Sequence, residues 1–430
     1  LRIALSGQFD CVALALLKLA ACALVLHLGF THVSDDDYAR VVISEQFAHA
    51  PRLDPSGTSW LPFPFWVEGL AMMAAGRSLA VARGVAIALG CSSVVAPYLA
   101  MRAIDVPRGA AFIATAVASV LPWNAWLGVA TVPDGWVGAL VAAAAIGMGR
   151  TEARGWGAIL LLAAALSRYE AWPVCAVFAA VCAANALRSV NANREVWRGL
   201  VALAGPAAWM GWNTYAHDDP LHFLVRVTAF RHAVGAADVP MASKLLGYPF
   251  ALVSETPEVA VLGVVGLLGL RHRDVRARWL GAAVTAAAVM GFLVWGDLHD
   301  GAPTHHPARA LGSIWWIFVG LGVDATLRAV ARARITGAAL AGALLLGWAV
   351  TLPWRWAEAP GRSAAEDREP QMARGKEFRE RSVRHARVVP CAYEHFALLA
   401  AWGSPERATV LASTRQPVTP SCPEVTLLEE

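Results

Sequence analysis

The sequence predicts an all-α, polytopic membrane protein with about eleven transmembrane helices, and three observations carry that prediction. Hydrophobic residues fill 57% of the 430 positions and charged residues only 16%, a balance that a soluble globule of this length does not need and could not easily keep in solution. Apolar stretches recur near 11–30, 79–101, 109–122, 135–149, 156–167, 171–187, 199–215, 257–270, 279–295, 310–323 and 335–352. Arginines then fall in every second interval between them: Arg102 and Arg108; Arg150 and Arg154; Arg188, Arg194 and Arg198; Arg271, Arg273, Arg276 and Arg278; Arg328, Arg332 and Arg334. Cationic residues concentrate at the cytoplasmic ends of spans, so this alternation places the N-terminus in the cytoplasm and the C-terminal tail outside.

The first stretch is read as a retained span. Arg2 could head a signal peptide, but no clean small-residue cleavage site precedes His32-Val33-Ser34-Asp35. Several later stretches fall short of the roughly 20 residues that cross hydrocarbon, so their ends borrow Trp, Tyr and loop residues or are partly re-entrant. After the first span, the Trp- and Pro-rich segment Trp60-Leu61-Pro62-Phe63-Pro64-Phe65-Trp66 reads as an interfacial helix that leads through Glu68 and Arg77 into the second span. The chain divides into a membrane domain, 1–353, and a small extracytoplasmic α/β extension, 354–430. In the extension, Val388-Val389-Pro390-Cys391 and Ala408-Thr409-Val410-Leu411 read as short strands.

The net charge of +4 is accounted for by the cytoplasmic anchoring residues, so no nucleic-acid partner is inferred. Cys11, Cys22, Cys91, Cys175 and Cys182 lie in apolar stretches and read as packing residues. Cys391 and Cys422 lie in the tail, where an oxidising compartment would permit a disulfide.

The unusual polar residues gather in the loops expected outside. The first loop carries Asp35-Asp36-Asp37-Tyr38, the third Pro133-Asp134, a short connection Arg168-Tyr169-Glu170, a longer loop His217-Asp218-Asp219-Pro220-Leu221-His222-Phe223, and the last Asp297, His299, Asp300, His305, His306 and Arg309. Adjacent carboxylates repel, which favours a cation, an arginine partner or a raised pKa on one of them, and a carboxylate so tuned can accept a proton from an attacking hydroxyl. A solvated turn is the bland alternative. Arg168 and Glu170 could pair with one another or serve a substrate. Arg309 stands against the positive-inside trend, which suits an anionic partner such as a phosphate headgroup. Asp297, His299, Asp300 and His305 could ligate a divalent metal, although their spacing matches no closed motif and loop histidines without metal are commoner. No Walker loop, dinucleotide fingerprint, nucleophile elbow or zinc-protease signature is present.

These residues resemble the GT-C superfamily of polytopic membrane glycosyltransferases, which use polyprenyl-phosphate sugars and include the protein O-mannosyltransferase and aminoarabinose transferase families. The resemblance runs over nearly the whole chain. It lies in the acidic motif Asp35-Asp36-Asp37-Tyr38 after the first span, in Trp60-Leu61-Pro62, in Arg168-Tyr169-Glu170, in Asp219-Pro220-Leu221-His222-Phe223 and in His306-Pro307-Ala308-Arg309. The family often shows Asp-Glu in the first loop where this chain has only Asp, and Asp218 stands where the family usually has Gly. The resemblance implies inverting transfer of one sugar from a polyprenyl-phosphate donor to a hydroxyl of a glycan, lipid or protein acceptor at the outer face, in a bacterial inner membrane. It implies Asp36 or Asp37 as general base with Asp35 orienting, Arg168 and Arg309 on the donor phosphate, Asp134 and Glu170 on sugar or acceptor hydroxyls, and Tyr38, Tyr169 and His306 within the substrate-binding motifs. Two other readings remain: a ligase or polymerase acting on lipid-linked glycan, with Arg226, Arg231 and His232 in its long loop, and a transporter or flippase, for which no internal repeat is visible.

Overall fold

The computed structural model describes residues 2–188, 191–233, 239–301, 306–360, 367–389, 393–410 and 426–429. Helix α1 (Arg2–His27) runs to a loop that carries two helices of its own, α2 (Asp36–His49) and α3 (Phe63–Ala75). Pro64 starts α3, where a missing N–H costs nothing, so the interfacial helix expected around Trp60–Trp66 begins at Phe63. Then come α4 (Leu79–Ser93), capped by Ser78 through the Val81 N–H, α5 (Val95–Ala103), α6 (Arg108–Val120), the short α7 (Pro122–Leu127), α8 (Asp134–Gly147) and α9 (Thr151–Ala165). They are followed by α10 (Trp172–Ala186), α11 (Ala192–His217), α12 (His222–Ala233), α13 (Met241–Glu255), α14 (Pro257–Gly269), α15 (Arg273–Leu298) and α16 (Gly312–Ala357). Asp218 at φ 57°, in the left-handed region, ends α11.

Among the described residues five helical segments are long and apolar enough to cross a membrane: Gly7–His27, Leu79–Ala103, Tyr169–Ala186, Arg273–Leu298 and Pro307–Ala331. A sixth is present if α13 and α14, bent by 103° at their junction, form one broken span. Helices Phe63–Ala75, Arg108–Val120 and Asp134–Gly147 are apolar but shorter. Length and hydropathy alone therefore do not reach the eleven expected spans.

The two last expected spans fall inside the single stretch α16, whose 46 residues would reach about 69 Å if straight. Its two ends nevertheless meet: Trp315 stacks on Trp123 at 6.4 Å, and Trp123 packs on Trp126. Trp126 Nε1 in turn donates to the Trp356 carbonyl at 3.0 Å, and Trp356 Nε1 to Val120 at 3.1 Å. The chain must therefore reverse between its halves.

Helix α8 is the centre of the bundle. Its run Val-Ala-Ala-Ala-Ala-Ile is buried on every side, in one core with α6 and α16, because small side chains let neighbouring helices approach closely. A Cβ on Gly138 would come within 2.9 Å of the Gly312 backbone, so bare backbone sets the distance between the starts of α8 and α16. At the ends of the helices remote from Asp134, charges are neutralised locally: Arg154 and Arg198 on Glu195, Arg278 and Arg328 on Asp324, and Arg108 on Asp10. These are the arginines of the alternating intervals.

The tail adds α17 (Glu369–Glu380), β1 (Ala386–Val389), α18 (His395–Trp402), β2 (Ala408–Val410) and β3 (Thr426–Glu429). Strand β1 is central, parallel to β2 and antiparallel to β3; a parallel pair needs a crossover, which α18 supplies. Strands β1 and β2 overlap the two stretches expected at 388–391 and 408–411, of which residues 390, 391 and 411 lie outside the described residues. Phe378, Leu398, Leu399 and Trp402 share a core with Tyr38, Val41, Val42 and Met72, so the tail is seated on α2 and α3. Cys391 and Cys422 lie outside the described residues.

Candidate functional site

The three adjacent aspartates do not share one environment. Asp35 receives both forks of Arg368 from the tail, at 2.7 and 2.9 Å. Asp37 is buried and fully engaged. Its Oδ2 accepts from the Val33 and Ser34 N–H groups at 3.0 and 3.2 Å, and its Oδ1 from the Thr131 N–H at 2.8 Å. Asp36 alone keeps a third of its side chain open, 34%, and meets Arg309 Nη1 at 3.2 Å. The repulsion expected within the triple is thus relieved by divergence.

Arg309 lies in the 3₁₀ turn Pro307–Leu311 that opens α16. Its Nη1 also donates to Ser34 Oγ at 3.0 Å, and its Nη2 lies 3.5 Å from Asp134 Oδ2. Asp134 heads α8 and is shared, because Arg168 Nη2 lies 3.3 Å from its Oδ1. Arg168 is clamped by Glu170 through two bonds of 3.1 and 2.6 Å, so the pairing weighed from sequence is present and both residues are still at the site. Asp134, Arg168, Glu170 and Arg309 line a narrow cleft of about 20 Å³, together with Val137, Gly138 and Ser313.

A third arginine, absent from the sequence-based set, completes the cluster. Arg40 is 3% exposed, and its guanidinium lies over the Trp60 ring at 4.5 Å and the Phe65 ring at 5.4 Å. Its Nε and Nη1 are buried without a hydrogen-bond partner. Burial lowers its pKa, and the like charge of Arg168 adds to that, while Asp134 and Asp36 oppose it. A buried cation with two of its nitrogens unbonded is costly unless an anion joins it. Arg40 is one helical turn, i+4, after Asp36, so both lie on one side of α2; reading α2 as a helix would have paired them. That reading was hard because Asp36–His49 has no clear apolar stripe.

Other expected residues have packing duties. Tyr38 is fully buried in the core shared with the tail, its hydroxyl 3.3 Å from His32 Nδ1, and does not line the cleft. Tyr169 donates to the Ser59 carbonyl at 2.6 Å, accepts from Trp209 Nε1 at 3.0 Å and stacks on Phe223 at 4.6 Å. The Asp219–Phe223 motif thereby braces the Arg168–Glu170 turn. His306, at φ 49°, packs on Trp123 at 5.8 Å.

The proposed metal ligands do not come together. Asp297 is paired with Arg231 at 2.6 Å and Asp300 with Lys244 at 2.7 Å, and His299 Nδ1 faces the Trp295 carbonyl. The hydrogen bond from Lys244 holds the Asp300 carboxyl below its usual range. His305 lies outside the described residues, and among the described residues no three His, Cys, Asp or Glu side chains could hold an ion together. Carboxylates already matched by Arg and Lys are poor candidates for cation binding.

No protein-family model and no curated protein sequence matches this chain. Two crystal structures of ArnT from Cupriavidus metallidurans are similar to it. The one bound to undecaprenyl phosphate is 16% identical at a TM-score of 0.48, covering 91% of this chain and 74% of its own. The apo form is 17% identical at a TM-score of 0.46, covering 93% and 75%.

Proposed function

We propose that this chain is a membrane glycosyltransferase that moves one sugar from a polyprenyl-phosphate donor to an acceptor hydroxyl, with Asp36 as general base. One observation carries the reading: a carboxylate one-third open faces a buried arginine cluster, one member of which forms no ion pair among the described residues. A sugar phosphate ester already has a leaving group, so the protein must position two reactants, take one proton and stabilise a departing phosphate. The acceptor oxygen attacks the anomeric carbon as its proton passes to Asp36 Oδ. The bond from that carbon to the phosphate oxygen breaks, and polyprenyl phosphate leaves toward Arg40, Arg168 and Arg309. Attack opposite the leaving group inverts the anomeric configuration.

Among the three aspartates the division of labour follows from hydrogen bonding. Asp37 has its lone pairs committed to backbone donors, so it sets the geometry of the turn. Asp35 ties the tail to α2. Asp134 holds Arg168 and Arg309 apart at fixed spacing, with Glu170 fixing Arg168 from the other side. The apolar helices around the cleft supply the setting for a polyprenyl tail, and the acidic end of the bundle would face the periplasm.

The test is transfer by purified protein in nanodiscs, with radiolabelled polyprenyl-phosphate sugars as donors and membrane extract as acceptor. Asp36→Asn should lower turnover by about 10²–10⁴-fold while donor binding persists, the range for loss of a general base. Turnover within a few-fold of wild type in that variant would overturn the assignment. Absence of transfer with every donor, alongside solute flux in vesicles, would overturn the reaction itself.

A further inference from the structure

A second pocket lies away from the transfer cleft, where the tail meets the loop between α3 and α4. It is an open pocket of about 210 Å³ lined by Arg77, Arg379, Ser382, Trp402, Gly403, Ser404 and Arg407. Its walls come from two parts of the chain some 300 residues apart, and the join is built closely. Arg77 holds Glu406 through two bonds of 2.7 and 3.0 Å, and Arg379 Nη2 donates to the Arg77 carbonyl at 2.7 Å. Gly403 at φ 76° presses its backbone against that same carbonyl, where a Cβ would lie only 2.8 Å away. Ser382, at φ 53°, adopts a left-handed conformation that non-glycine residues seldom take, at the pocket wall.

We propose that this pocket is an anion site, distinct from the transfer cleft, that takes a phosphoryl group. The charges are unequal. Arg77 is matched by Glu406, but among the described residues Arg379 and Arg407 meet only carbonyl oxygens, that of Arg407 at a long 3.4 Å. Behind Arg77, Glu45 is buried with both carboxyl oxygens unpartnered, and burial raises its pKa well above the usual carboxylate range. Two uncompensated guanidinium charges match the charge of about −1.5 to −2 on a phosphate monoester. Planar forks and the two serine hydroxyls supply more donors than a carboxylate's two oxygens could use. Glu45 is nine residues beyond Asp36 on α2, or about 13 Å along the helix, so a phosphoryl group bound here would lie a long reach from the reacting hydroxyl.

The experiment is calorimetric titration of inorganic phosphate into the full chain in phosphatidylcholine nanodiscs. Phosphate should bind the wild type, and Arg379→Gln/Arg407→Gln should weaken that binding by about tenfold or more. Binding should persist in Arg40→Gln, which removes the unpaired cation of the transfer cleft. Both altered arginines of the pocket are exposed, and an unchanged melting temperature checks that the double variant is folded. Equal binding in wild type and double variant, loss in Arg40→Gln alone, or no binding to wild type each overturns the proposal. Repeating the titration with phosphatidic acid in the nanodisc separates the sources. Loss of the phosphate signal would make the occupant a lipid headgroup, and its persistence a phosphoryl group that arrives from solution or on the acceptor.

Discussion

Asp35, Asp36 and Asp37 are neighbours in the chain and strangers in space, because successive residues entering a helix point about 100° apart. Each therefore fails differently when changed. Asp37→Ala strands the Val33, Ser34 and Thr131 N–H groups in a buried turn, which should cost ~3 kcal/mol or more at bonds to a charged acceptor, read as a fall in melting temperature. Arg40→Gln should leave turnover at saturating donor nearly intact but raise the donor's KM by about tenfold or more, since an unpaired buried cation acts chiefly on the anion it binds. Unchanged KM would assign Arg40 to packing on Trp60. Glu45 makes a pH prediction. Its folded pKa is raised by burial above the unfolded value of about 4.3, so between these values the folded state holds more protons. Stability should fall as pH rises through that window, and Glu45→Gln should flatten the dependence in thermal melts taken from pH 5 upward. The acidic and basic residues of the site were legible as types in loops, but their pairing was not. Nothing in Asp35-Asp36-Asp37 says which carboxylate meets backbone, which meets Arg368 and which stays open.

Helix α8 positions Asp134, and its distance from α16 positions Arg309, so the joint between the two helices sets the cleft. A contrast between two glycines tests this. Gly138→Ala places a Cβ 2.9 Å from the Gly312 backbone, whereas a Cβ on Gly312 would meet nothing closer than 3.4 Å. Gly138→Ala should cost about 1–3 kcal/mol of stability as an overpacked contact and lower transfer with it, while Gly312→Ala should be tolerated in both assays. Elements with a single strong signal were readable: the long apolar α1, the Pro-initiated α3 and the two tail strands. Helix α2 was not, since it is buried between α3 and the tail and packs through its own Tyr38, Val41 and Val42 in contacts that hydropathy does not reveal.

Across the whole molecule, the site is assembled from loops that follow α1, α7, α9 and α15, with the tail closing over α2. The sidedness of these loops was legible because arginine alternation and polar clustering are one-dimensional patterns; the convergence on Asp134 is a product of packing and had no sequence signal. The tail's attachment through Arg368 and Asp35 is partly exposed, so Arg368→Gln should shift global unfolding by less than ~1 kcal/mol yet speed limited proteolysis of residues 367–410. Equal cleavage rates would show that the apolar contacts of Phe378 and Trp402 hold the tail unaided. The unpaired charge of Arg40 reaches further than catalysis. A protein that keeps such a charge dry until a lipid phosphate arrives has a durability that depends on its lipid supply, growing by RT ln(1 + [L]/Kd). Detergent that strips polyprenyl phosphate should then shorten the protein's working life, and adding the carrier lipid back, even without its sugar, should restore it.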